Sequence, residues 1–124
     1  MRLLVVLKPW SASYPYGIVL RPGDLVTMIK SDPEFPGWIW CGGPAGDSAW
    51  IPEAYIEWLP AGGSGSQGLV QRQGRLLRDY ESTELTVAMG ETVVFLEEEA
   101  DWIRAEGSDG RRGWLPASCL REKS

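Results

Sequence analysis

Apolar and polar residues along this chain follow short, alternating runs rather than a helical period. The branched and aromatic runs are Leu3–Leu7, Leu25–Ile29, Trp38–Cys41, Ala49–Ile51, Thr92–Leu96, Trp102–Ala105 and Gly113–Leu115. Between them stand turn pairs such as Pro22-Gly23, Pro36-Gly37, Gly42-Gly43, Gly46-Asp47, Met89-Gly90 and Asp109-Gly110. Runs of this length with this punctuation predict β-strands, and their close spacing predicts small barrels or sandwiches. One stretch, Ala61–Gly68, has almost nothing to bury and reads as the core of a Gly/Ser-rich linker over 61–73. It divides the chain into candidate domains 1–60 and 74–124.

The two halves repeat each other. Trp10, Pro22-Gly23-Asp24, Trp38-Ile39-Trp40 and Ala49-Trp50-Ile51-Pro52 in the first correspond to Tyr80, Met89-Gly90-Glu91, Trp102-Ile103-Arg104 and Gly113-Trp114-Leu115-Pro116 in the second. Trp38 precedes Pro52 by 14 residues, and Trp102 precedes Pro116 by the same 14. The earlier intervals are longer in the first half, so the differences fall in loops.

These landmarks resemble the Src-homology-3 (SH3) family. The family's opening motif is similar to Val6-Leu7-Lys8-Pro9-Trp10 and Leu76-Leu77-Arg78-Asp79-Tyr80. Its Gly-Asp/Glu turn after the long RT loop is matched by Gly23-Asp24 and Gly90-Glu91, and the tryptophan after its n-Src loop by Trp38 and Trp102. Its closing Pro-x-x-Tyr is matched by Pro52–Tyr55 and, with Cys119 in place of tyrosine, by Pro116–Cys119. The resemblance implies an all-β fold of two small SH3-like five-stranded barrels in tandem. The chain also looks similar to short bacterial proteins made of little besides two such domains.

In this family an aromatic groove accepts a left-handed polyproline helix, whose preformed shape limits the entropy lost on binding. Carried over, the resemblance implies a groove in domain 1 from Trp10, Trp38, Pro52 and Tyr55. Tyr14 and Tyr16 would supply replacement rings, and Asp32 and Glu34 would orient a basic ligand residue. In domain 2 it implies Tyr80, Trp102 and Pro116 with Glu81, Glu84 and Glu98 as the acidic rim. Lys8 and Arg78 stand where the family has its first tyrosine. Trp50, Trp114, Val26, Val94, Ile39 and Ile103 are expected in core or sheet, and Trp40 and Trp58 are candidates for packing between the domains. Glu97–Glu99 reads as a loop, and Trp38 and Trp102 are expected at loop–strand junctions as binding rings.

Composition narrows the function further. The net charge is −5. Residues 1–60 carry Arg2, Lys8, Arg21 and Lys30 against Asp24, Asp32, Glu34, Asp47, Glu53 and Glu57, and the second half is also acidic. Nucleic acids and anionic membrane surfaces draw on Lys/Arg neutralisation, so neither is an expected partner. There is no histidine, and the two cysteines, Cys41 and Cys119, have no metal-site spacing. No catalytic residue, metal site or cofactor is therefore expected. Both cysteines read as buried thiols in a reducing compartment. The apolar run Leu3–Leu7 ends at Lys8-Pro9, too short for a secretory leader, and no run reaches the ~20 apolar residues of a membrane span. A cytoplasmic location is expected. The leading expectation is a non-enzymatic adaptor that binds a protein or proline-rich peptide, more through domain 1. The alternatives are a structural or oligomerising module with degenerate grooves, which leaves room for a homo-oligomer, and a cell-wall or glycan-binding module.

Overall fold

A computed structural model describes residues 1–60 and 72–124. Among them the regular structure is strand and short 3-10 turn. The strands are β1 (Leu3–Val6), β2 (Val19–Leu20), β3 (Leu25–Ser31), β4 (Trp38–Gly42), β5 (Ser48–Pro52), β6 (Ile56–Trp58), β7 (Gln73–Leu76), β8 (Tyr80–Glu81), β9 (Thr92–Glu99), β10 (Trp102–Glu106), β11 (Arg112–Pro116) and β12 (Leu120–Glu122). Single 3-10 turns at Glu53–Tyr55 and Ala117–Cys119 link β5 to β6 and β11 to β12. Each begins after a proline at φ near −60°, the angle its ring imposes.

The strands form two five-stranded antiparallel sheets, β11-β10-β9-β1-β12 and β5-β4-β3-β7-β6, alike in order. Each contains one strand from the opposite half of the sequence. β1, which opens the chain, pairs with β9 (Leu3↔Val94) and β12 (Val6↔Leu120). β7, which opens the second repeat, pairs with β3 (Val26↔Gly74) and β6 (Ile56↔Leu76). The two repeats have exchanged their first strands.

The compact units are accordingly not the halves 1–60 and 74–124. One unit is Met1–Gly17 with Ser82–Ser124; the other is Ile18–Glu81. This corrects the expected boundaries: the crossover falls within the RT loops, between Gly17 and Ile18 and between Glu81 and Ser82. The second unit is one continuous stretch whose strands follow a circularly permuted order. It begins at β2 and ends at β8, which pair with each other as the two limbs of one loop. In chain order it is an insertion at the RT-loop tip of the first unit. The expected linker 61–73 joins β6 to β7, which are neighbours in one sheet, and the Leu59 amide donates to the Gln73 carbonyl at 2.9 Å. Most of that linker, 61–71, lies outside the described residues.

The alternation expected of strands is present. In β1, Leu4 and Val6 face inward, and in β7, Gly74 and Leu76 do so. The first unit's core joins Leu4 and Val6 to Leu85, Val87, Val93, Ile103, Ala105, Leu115, Cys119 and Leu120. The second unit buries Leu20, Val26, Ile39, Cys41, Ala49, Ile51, Ile56 and Leu76. Of the residues expected in the interior, Trp114, Val26, Ile39 and Ile103 are buried, while Trp50 and Val94 are half-buried. Cys41 and Cys119 are buried and unbonded. Trp40 packs on Trp50 within the second unit, ring centroids 5.2 Å apart, and Trp58 lies beneath the Arg72 guanidinium at 4.1 Å.

Candidate functional site

The exchange redistributes the residues expected to form the two grooves. The first unit holds Trp10, Tyr14, Tyr16, Glu84, Glu98, Trp102 and Pro116. The second holds Asp32, Glu34, Trp38, Pro52, Tyr55, Tyr80 and Glu81. Trp10 and Tyr80 have therefore traded places relative to the grooves assigned by sequence half.

In the first unit, two chain segments distant in sequence form the limbs of one RT loop. Trp10 and Val87 exchange backbone hydrogen bonds, and the Glu84 amide donates to the Tyr14 carbonyl. Side chains of the second limb close the gaps. Thr86 Oγ1 accepts from the Ala12 amide, Thr83 Oγ1 from the Gly17 amide and Glu84 Oε1 from the Ser13 amide. Gly17 sits where a Cβ would stand 2.2 Å from the Thr83 amide nitrogen, so only glycine fits this approach.

The same Glu84 oxygen accepts the Trp10 indole N–H at 3.3 Å. Trp10 then stands edge-on to Trp102, with ring centroids 5.6 Å apart and planes at 84°. That is a favourable arrangement for two ring quadrupoles. Trp102 pairs across the hairpin with Pro116. Burial pushes the Glu84 carboxyl above its ordinary value, against the opposing pull of the Ser13, Trp10 and Tyr14 hydrogen bonds.

Glu97, Glu98 and Glu99, expected in a loop, lie in β9 because the connection to β10 is only Ala100-Asp101. Both residues have positive φ, 48° and 69°, as a two-residue turn compatible with strand twist requires. Alternation then leaves Glu98 exposed and sets Glu97 within 4.0 Å of Arg104. Asp101 is also exposed.

The second unit's counterpart is more closed. Tyr55 and Tyr80 meet edge-to-face at 5.8 Å, and the Tyr80 hydroxyl donates to the Trp50 carbonyl at 2.6 Å. Arg78, at the first-tyrosine position, lays its guanidinium 4.3 Å from the Tyr55 ring centroid. Asp32, expected to orient a ligand, accepts from the Glu34 and Phe35 amides and shapes its own loop. Glu34 is exposed, Glu81 pairs with Val19 in the β2–β8 ribbon, and Pro52 is buried across from Trp38.

Trp38 and Trp102, expected as binding rings, retain 5% and 8% of their surface. Trp10 is half-buried, whereas Tyr14 and Tyr16 are exposed at the RT tip. Sequence reasoning missed two contacts: Glu84 as the clamp on Trp10, and Arg78 as the cover of Tyr55. An acid in one repeat and an indole in the other carry no local sign of such a bond.

Each unit thus combines a two-limbed loop with a Trp↔Pro pair across a hairpin. Residues 74–123 match the variant SH3 domain. No curated protein and no solved structure matches the chain. The SH3-type stretch is continuous in sequence but contributes 74–81 to the second unit and 82–123 to the first. SH3-type domains are protein-interaction modules, generally without catalysis. Among the described residues no cluster of acidic or cysteine side chains suits a metal ion, and no helix is long and apolar enough to cross a membrane.

Proposed function

We propose that this chain is a non-enzymatic, cytoplasmic interaction module. In this reading it binds a proline-containing peptide with an Arg or Lys at the groove of the first unit. The observation that carries the reading is the half-buried Trp10, which bonds to Glu84 and stands edge-on to Trp102, with the exposed Asp101 next to Trp102 in the chain and the exposed Glu98 taken as a second acid of the rim. A proline ring packs well against such a ridge, and the acidic rim favours a basic flank. Arg78 over Tyr55 argues that the second unit is the weaker reader, so the preference moves from the first repeat to the composite built on Trp10 and Trp102.

The test is a titration of the intact chain with proline-rich peptides bearing Arg at either end, followed by amide and indole NMR signals. Saturable shifts at Trp10 and Trp102, weakened at least tenfold by Glu98→Lys with Asp101→Lys, support the reading. Absence of shifts at millimolar peptide refutes it. That outcome would favour the second reading, a structural module, which draws on the deep burial of Trp38 and Trp102.

A further inference from the structure

We infer that one register position selects the strand exchange: Gly74 facing Trp58 in the second unit, against Leu4 facing Glu122 in the first. The strand slot beside β6 thereby admits β7 and rejects β1, and the slot beside β12 takes the chain's own N-terminal segment.

The two slots are superficially interchangeable. β1 and β7 occupy equivalent registers, Val6↔Leu120 and Leu76↔Ile56, and make equivalent backbone bonds. Val6 and Leu76 accept from Gly90 and Gly23, and Leu7 and Leu77 donate to Cys119 and Tyr55. Backbone pairing cannot distinguish an exchanged chain from two ordinary tandem barrels. Side chains do. At Gly74 even a Cβ would stand 2.4 Å from Ile56 Cγ2, 3.0 Å from the Glu57 carbonyl oxygen and 3.1 Å from Trp58 Cε3. Leu4 in that place would add three further carbons to a site with no room for one. In the reverse direction, Gly74 in the first unit would leave empty the space Leu4 fills in a core where it is 2% exposed.

Charge points the same way. Arg75 pairs with Glu57 at 3.1 Å, and Arg2 with Glu122. Unexchanged strands would set Arg75 opposite Arg121, since Val5 occupies that register now. Exposed ion pairs contribute little singly, so the steric match dominates.

The test uses the full chain under mild oxidation, with cysteine pairs reporting which strands are neighbours. Val5→Cys with Arg121→Cys reports the exchanged pairing, and Val5→Cys with Glu57→Cys the tandem one; Cys41 and Cys119 are buried. The first pair should cross-link within the monomer at least tenfold faster. Faster linkage of the second pair, or disulfide-linked dimers in place of monomers, would overturn an exchange within one chain. Adding Leu4→Gly with Gly74→Leu to both backgrounds should reduce that preference at least tenfold. The milder Leu4→Ala with Ile56→Ala, which removes the nearest blocking methyl, should shift it in the same direction and serves if the first variant does not fold. An unchanged preference in a folded variant would overturn the role given to Gly74.

Discussion

Replacing Gly74 by alanine tests the packing that positions β7. The added Cβ would lie 2.4 Å from Ile56 Cγ2, whereas carbon–carbon contacts settle near 3.5–4.0 Å. About 1 Å must be found. Ile56 is 6% exposed, and its Cγ2 is fixed by a χ1 torsion that β-branching holds stiff. The Glu57 carbonyl and Trp58 ring close the other directions. Overpacking of this kind costs about 1–3 kcal/mol, offset in part by roughly 0.5–1 kcal/mol from the reduced freedom of alanine in the unfolded chain. A net loss of about 1–2 kcal/mol should lower the second unit's midpoint by roughly 5–15 °C for a domain of this size. Amide hydrogen exchange resolves the effect by unit. Val26, Ile39 and Ile51 should lose protection, while Val93, Ile103 and Leu115 keep theirs. Ile56→Ala removes the blocking methyl, so Gly74→Ala should cost little in that background. A loss under about 0.5 kcal/mol, or an equal loss with Ile56→Ala present, would refute the argument.

Three further outcomes follow from single sites. Glu84 holds its proton to higher pH when folded than when unfolded, so the native state binds more protons above the ordinary carboxyl value of 4.5. Stability must then fall as pH rises through that window. Glu84→Gln should remove this slope, so its stability relative to wild type rises from about pH 4.5 upward; parallel urea midpoints at every pH would count against it. The Cys41 thiol is pushed up to about 12 by burial. At pH 8.5 it should react with a thiol reagent ~1000-fold more slowly than an ordinary cysteine, and labelling at the free-thiol rate without unfolding would contradict that. Ala100 and Asp101 hold left-handed angles that suit Asn-Gly better, so Ala100→Asn with Asp101→Gly should raise stability by about 1 kcal/mol. A loss in denaturant midpoint would show the turn to be otherwise constrained.

Strand pattern and repeat identified the all-β class and most sheet positions: β1, β3, β4, β5, β9, β10 and β11 fall where apolar runs predict them. The short strands β6, β7 and β12 were not legible. Gln73–Leu76 has only one large apolar residue, and Leu120–Glu122 is mostly charged. Both owe their conformation to neighbours already in the sheet. The residues expected to line grooves could be named one by one from sequence, but their spatial grouping could not. Trp10 bonds to Glu84 across 74 residues, and Tyr80 reaches the Trp50 carbonyl across 30. The deep burial of Trp38 and Trp102 was likewise invisible, because neighbours distant in sequence cover a ring without changing its local pattern.

Alternation, turn residues and the internal repeat are local properties, and they suffice to say that this chain makes two small β-structures of one kind. Which first strand enters which sheet is a different question. Both carry the same inward–outward pattern and offer the same backbone groups, so nothing local separates Leu3–Val6 from Gln73–Leu76 as partners for a given sheet. The choice rests on shape and charge that meet only after folding: a glycine under Ile56 and Trp58, a leucine filling the other core, and Arg75 beside Glu57. Long-range complementarity therefore decided the exchange, and with it which aromatic residues share a unit.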